Sequence, residues 1–209
     1  MLLIGQFDSP FVRRVAIALH HYDLAYEHRP WSVWGQAEDI AKYNPLRRVP
    51  VLVMNDGETL IESSAILDAL DDQVTDEHRL LPRSGAKRRA GLRVCALATG
   101  MADKVVSLFY ERALRNDERR SRTWMDRCAV QITETLDLLE KERANVTGPY
   151  WFGGLSHADI AVTCAMRFLG EADPELSRQR SRPALAAHAE YCEAMPLFQS
   201  AVQAFHVAL

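Results

Sequence analysis

The chain has 209 residues, 48% of them hydrophobic, enough apolar side chain to bury a full core in one domain or in two small ones. Its 25 lysines and arginines stand against 28 aspartates and glutamates, mixed along the sequence; the net charge of -3 offers no field to a phosphate backbone or an acidic membrane, so neither is an expected partner. No apolar run approaches a bilayer span and Met1 leads into a strand-like segment without a basic leader, which makes a cytoplasmic location the expectation.

Leu2-Leu3-Ile4 is a short apolar run ending at Gly5 and reads as a buried strand. Ser9-Pro10 then opens a helix. Serine favours the cap, and proline fits the first helical position because its missing amide hydrogen has no partner there in any case. Val12, Val15, Leu19 and Tyr22 follow at helical spacing up to Asp23, with His20-His21 at the helix C-terminus, where a cation is favoured. Tyr26 to Arg29 alternates into Pro30 as a second strand exposed on one side. Beyond a tryptophan-bearing loop at 31–35, residues 37–43 read as a short helix stopped by Asn44-Pro45. Residues 49–54 and 59–62 flank Asn55-Asp56-Gly57, a hairpin signal, and Ser63-Ser64 caps a helix through Ala65, Ile66, Leu67, Ala69 and Leu70.

Up to residue 74 the order is strand, helix, strand, helix, strand, strand, helix, a small α/β layer complete by itself. A charged linker is expected over 75–84, and the remainder, 85–209, carries no convincing strand. Helices are expected there over 87–115, 118–144, 157–170, 184–195 and 197–207, the third opened by the capping box Ser156-His157-Ala158-Asp159. Cys95, Cys128, Cys164 and Cys192 are far apart, none in a CxxC pair, and read as buried small hydrophobes; the seven histidines show no metal-binding spacing either. Two domains, α/β then all-α, and no metal, is the economical description.

Taken alone, Ser9 is a helix cap, Val49-Pro50 a tight turn at a strand start, Ser63 another cap and Arg48 an exposed loop arginine. Their joint order says more. "SPFVRRV", "NPLRRVPVLV", "ESSAIL" and "HADIAVTCAM" stand where the cytosolic glutathione S-transferase family carries related motifs, and the whole chain resembles its bacterial serine-type members. The resemblance implies a thioredoxin-like domain at 1–74 that binds glutathione as co-substrate, followed by an all-helical domain that completes a pocket for a small hydrophobic electrophile. By the same resemblance Ser9 is the activating, catalytic position and Phe11 lines the pocket behind it. Val49, before a cis Pro50, offers its backbone to the glutathione cysteine. Glu62 and Ser63 hold the γ-glutamyl end, and Arg48 faces the glycine carboxylate. A two-fold homodimer is implied as well, with Asp103 reaching the γ-glutamyl ammonium across it. Phe11, Trp34, Leu108, Phe109 and Tyr110 are the candidate walls of the electrophile pocket, although aromatics at helical spacing also serve as plain core. There are departures: Arg47 stands where many members have glycine, which implies a different backbone path before Val49, and Phe7-Asp8 replaces a tyrosine-containing lead.

A free thiol titrates near 8.5, so catalysis requires stabilising the thiolate, and a hydroxyl donor at a helix start does so without a general base. Ser9 as a hydrolase nucleophile lacks a GxSxG elbow and a base. Two alternatives stay open: a non-catalytic or regulatory binding protein on the same fold, and a glutathione-dependent isomerase, although isomerases usually show Ser-Ser-Cys where this chain has Ser9-Pro10-Phe11.

Overall fold

The structure, a computed structural model, describes residues 1–205 and divides into two compact units, Met1–Arg88 with the chain from Ala194 on, and Arg89–Glu193.

The first unit holds a four-stranded sheet of β1 (Leu2–Ile4), β2 (Glu27–Arg29), β3 (Val51–Val53) and β4 (Thr59–Ile61), in the order β2-β1-β3-β4. β1 runs parallel to β2 and antiparallel to β3, and β3 is antiparallel to β4. The register Leu2↔Val53, Leu3↔Leu52, Ile4↔Val51 keeps like with like across the strands. Ile4 and Val51 bury one face against Ile40 of α2 (Ala37–Ala41), with Trp31, Val33 and Tyr43 around them. Leu3 and Leu52, one residue out of phase, are fully buried on the other face. The hairpin turn closes as its residues dictate, with Met54 N–H donating to Glu58 O at 2.8 Å and Gly57 at φ +92°.

Helix α1 (Pro10–His21) packs against α3 (Ser63–Asp71). Tyr22, at the end of α1, donates its hydroxyl to the buried Asp71 carboxylate at the end of α3, which also accepts from Leu80 N–H at 3.1 Å. Burial and the carboxylate together push the Tyr22 phenol far above its ordinary range, so it stays a donor. Arg79 bonds Asp71 O at 2.7 Å, so the stretch after α3, rather than running free, is tied back to it. His20 and His21 correct the expected cationic cap, since burial lowers both imidazoles below their ordinary value. The serine pair is corrected too: Glu62, at φ +68°, occupies the cap of α3, and Ser63 and Ser64 lie inside its first turn.

The second unit contains most of α4 (Gly85–Leu114), then α5 (Arg122–Ala144) after a 3-10 turn at Asp117–Arg119, α6 (His157–Ala172), α7 (Pro174–Arg178) and α8 (Pro183–Glu193). The apolar α6 is buried over most of its length, and Asp159 secures its start by accepting from Ser156 N–H and Trp151 N–H, both at 2.8 Å. Glu140 of α5 likewise accepts from Ala184 and Leu185 N–H at 3.0 and 2.8 Å, supplying the carboxylate that the first turn of α8 lacks. α7 was not expected; its signal, Asp173 capping ahead of Pro174, was there to be read. The four cysteines are free and buried, and burial pushes the Cys192 thiol up to about 11, where it is inert as a nucleophile near neutral pH.

The helix expected over 197–207 is one turn, α9 (Pro196–Gln199), and Val207 lies outside the described residues. The reason sits in the first unit. Arg13 of α1 donates Nε to Ala201 O at 2.8 Å and Nη2 to Phe198 O at 3.1 Å, taking carbonyls that a continued helix would need.

Candidate active site

Three backbone features meet at the C-terminal end of β1. Gly5, at φ +130°, comes so close to the first turn of α1 and to the segment before β3 that a Cβ there would lie 2.4 Å from Val12 Cγ2 and 2.9 Å from Val49 Cβ. Glycine is required on both counts, and its absence of a side chain brings the entrance of α1 up against Val49. Ser9, at φ -70° and ψ 123°, is the cap of α1, its Oγ accepting from Val12 N–H at 3.4 Å. That contact is long and uses only a lone pair, so the hydroxyl hydrogen is left to donate elsewhere. Phe11 is half-buried one residue into the helix.

The Val49–Pro50 peptide is cis, as the resemblance implied. The loop before it is organised by the buried Asn44, whose Nδ2 donates to Arg48 O at 2.9 Å and whose Oδ1 accepts from Leu46 N–H at 3.0 Å. The φ of Arg47, +54°, is left-handed, the conformation a glycine would supply there, and its guanidinium pairs with Glu38 at 2.5 Å on the outside. Arg48 is exposed beside it. Ahead of the serine, the Phe7 ring stacks on the His28 imidazole, with centroids 4.0 Å apart, and His28 Nε2 donates to Gly5 O at 2.8 Å. Phe7 N–H donates to Gln203 Oε1 at 3.1 Å, so the chain after α9 lies beside the loop that carries Ser9.

At the start of α3, Glu62 is exposed and its side chain makes no cap hydrogen bond. Ser63 retains 2% of its surface and its Oγ accepts from Arg14 Nη1 at 3.3 Å. Reading Ser63 as a plain cap is therefore wrong: its hydroxyl faces α1 instead of its own first turn. Trp34 is 39% exposed in the loop after β2. In the second unit, Leu108 is buried, Phe109 and Tyr110 are half-buried with ring centroids 6.0 Å apart, and Asp103 is exposed on α4. Ser9, Phe11, Arg48, Val49, Pro50, Glu62 and Ser63 thus all belong to the first unit, whereas Asp103, Leu108, Phe109 and Tyr110 belong to the second. Sequence reasoning missed Gly5, Arg13, Arg14 and Gln203. Two arginines beside Val12 and Val15 look like a solvated face, and nothing local shows that both are buried.

A β-α-β unit followed by an antiparallel hairpin and a helix, with a cis proline entering the hairpin and a serine-capped first helix, defines a thioredoxin-like domain, here followed by an all-helical unit. Comparison with known proteins agrees. The family "Glutathione S-transferase, N-terminal domain" matches residues 3–78. The uncharacterized GST-like protein YibF of Escherichia coli K12 is 30% identical over 169 residues, 81% of this chain and 82% of that protein. A glutathione S-transferase of Methylobacterium radiotolerans, solved in complex with glutathione sulfonate, superposes with a TM-score of 0.91 at 30% identity, covering 100% of this chain and 97% of its own. A glutathione transferase family member of Pseudomonas fluorescens Pf-5, solved with bound glutathione, gives 0.85 at 31% identity over 96% and 97%. The chain belongs to the glutathione S-transferase family and has its fold. Among the described residues no helix is long and apolar enough to cross a membrane.

Proposed function

We propose that the protein is a serine-type glutathione transferase that activates the thiol of bound glutathione for attack on a small apolar electrophile, a chemistry suited to detoxification. The observation that carries this reading is the Ser9 hydroxyl: it sits at a helix start, its cap contact is a long 3.4 Å and consumes no hydrogen, and it lies on the unit that carries the cis Val49–Pro50 peptide. It acts as a donor to the ligand's sulfur and not as a nucleophile. Val49 supplies backbone pairing to the cysteine of the tripeptide, Arg48 faces its glycine carboxylate, and Glu62 and Ser63 hold its γ-glutamyl end. Phe11 and Trp34 offer apolar surface to the electrophile. Glutathione bound to the Pseudomonas fluorescens structure, and glutathione sulfonate bound to the Methylobacterium radiotolerans one, support the same co-substrate here.

The test is thermal denaturation with glutathione, followed by turnover on a panel of electrophiles. At a hundred times its dissociation constant a ligand stabilises by about 2.7 kcal/mol, which for a chain of this size raises the melting temperature by ~5–10 °C. No shift at millimolar glutathione overturns the reading. A shift without turnover on any electrophile leaves a binding or regulatory module instead.

We also propose a two-fold homodimer in the cytoplasm. Leu92 on α4 and Val130 and Leu138 on α5 are exposed, apolar surface of the kind a subunit interface covers. Light scattering at micromolar protein is expected to give twice the chain mass, and a monomer mass retires the proposal.

A further inference from the structure

Beyond α9 the first unit carries a segment, Ser200 to Phe205, that forms neither helix nor strand, and α1 sets its course. Arg13, 2% exposed, donates Nε to Ala201 O at 2.8 Å and Nη2 to Phe198 O at 3.1 Å, and its guanidinium lies 6.0 Å from the centroid of the Phe198 ring. Phe198 and Ala201 are themselves fully buried. Two charge-assisted bonds from one rigid fork seat the segment against the start of the helix. Two residues further on, Gln203 Oε1 accepts the Phe7 N–H at 3.1 Å. A backbone amide can only donate, so the side-chain oxygen is its partner.

These two attachments flank Ser9. Phe7 stands two residues before it and Arg13 four after, one helical turn along, where the Arg13 N–H also bonds Ser9 O at 2.9 Å. From the side of β2 the same loop is held by the stack of Phe7 on His28 and by the bond from His28 Nε2 to Gly5 O at 2.8 Å. Those contacts hold the Phe7 ring and the Gly5 carbonyl, whereas the Phe7 amide is held from the C-terminal segment. The Ser9 hydroxyl needs such a frame. Its cap contact to Val12 N–H, at 3.4 Å, is too long to fix where the oxygen stands, and a hydrogen bond weakens steeply as its angle closes. The aim of the hydroxyl therefore follows the backbone on either side, and both sides are tied to one segment from the far end of the chain.

Resting on the reading of Ser9 as the donor that activates the thiol, we infer that Gln203 is a positioning residue for that step: through the Phe7 amide it holds the loop that aims Ser9, which makes the C-terminal segment a working part of the site. It acts through the backbone ahead of Ser9 and transfers no proton.

The experiment compares wild type, Gln203→Met, Ser9→Ala and the double variant. Methionine fills similar space without an acceptor oxygen, and Arg13 with its two carbonyls stays in place to keep the segment seated. In Gln203→Met, turnover is expected to fall about three- to ten-fold, the span of one neutral hydrogen bond, with the glutathione dissociation constant from calorimetry within about two-fold of wild type. Its rate profile should move to higher pH, because a misaimed hydroxyl stabilises the thiolate less. In the Ser9→Ala background the same substitution is expected to change turnover by less than about two-fold, since the group it positions is gone. Amide exchange of Phe7, followed by NMR without ligand, should quicken about three-fold or more in Gln203→Met. Equal losses of turnover in the two backgrounds give Gln203 a general structural role and overturn the inference. So does unchanged turnover in Gln203→Met, and so does a Phe7 amide that exchanges as fast in wild type as in the variant. Each of these results leaves the Ser9 reading intact. A wild-type rate in Ser9→Ala alone overturns that reading, and this inference with it.

Discussion

Replacing Ser9 with alanine is expected to lower transfer turnover about ten- to a hundred-fold while glutathione affinity changes by no more than a few-fold. A thiol with an ordinary pKa near 8.5 is a few per cent thiolate at neutral pH, and bringing it down two units requires about 2.7 kcal/mol of preference for the anion. A hydroxyl hydrogen bond to an ion contributes ~1.5–3 kcal/mol and the start of α1 adds about 0.3–1, so the donor is the larger share and its loss falls on the rate. Affinity is spared because the remaining proposed contacts, at Arg48, Val49, Glu62 and Ser63, are untouched. The apparent thiol pKa should rise toward its solution value, so the alanine variant recovers part of its rate at higher pH. A cap role gives a different result. The cap bond, at 3.4 Å, is weak, and losing it costs at the low end of the ~0.5–2 kcal/mol range, seen as a small fall in melting temperature with no change in the pH profile. Ser9→Cys adds a third outcome, since a thiol at a helix start tends toward thiolate and exchanges with glutathione disulfide, giving a mixed disulfide detectable by mass. Unchanged rate and pKa in Ser9→Ala, beside equilibrium binding curves for each protein, would return this serine to the role of a cap.

The largest stability effect is expected at Gly5. An alanine there inherits φ +130°, which L residues rarely adopt, and its Cβ meets Val12 Cγ2 at 2.4 Å and Val49 Cβ at 2.9 Å. Neither neighbour can yield cheaply: Val12 is fully buried in the first turn of α1, and the Val49 contact is to Cβ, fixed to the backbone. Strain and overpacking of this kind cost together on the order of 3 kcal/mol or more, a fall of ~6–12 °C in melting temperature for a chain of this size. Gly57→Ala is the control. It too has positive φ, +92°, but nothing lies within 4 Å of its would-be Cβ, so only the backbone term, about 1 kcal/mol, is expected. If Gly5→Ala and Gly57→Ala melt together, close approach of β1, α1 and Val49 is not what fixes that glycine.

Local chemistry made much of the first unit legible. A capped helix behind a three-residue apolar run, a hairpin with Asn-Asp-Gly at its turn and a proline-stopped short helix are each set by residues within a few positions of one another, and the structure places each within a few residues of its expected range. α5, expected from 118, begins at Arg122 behind a 3-10 turn, because Glu111 Oε1 takes the Ser121 N–H at 2.8 Å and Ser121 becomes the cap. The last helix failed for a longer-range reason. Apolar spacing through 197–207 is genuine, but Arg13, over 180 residues earlier, removes the carbonyls of Phe198 and Ala201 from the helical ladder.

The sequence by itself determined the elements and their order, because hydrophobic period, caps and turns act over a few residues, whereas Ser9 became the catalytic candidate only through the joint order of motifs that resembles the glutathione S-transferase family, since local chemistry marks it as a cap. Tertiary structure alone decided which polar groups the element boundaries face. Arg14 looks like a surface charge until α1 is laid against α3, and Ser63 looks like a cap until its hydroxyl is seen turned to that guanidinium. Gly5 looks like a strand end until Val12 and Val49 close on it. Burial and charge compensation are properties of pairs of elements brought together from distant parts of the chain, so they appear only when the fold has assembled them.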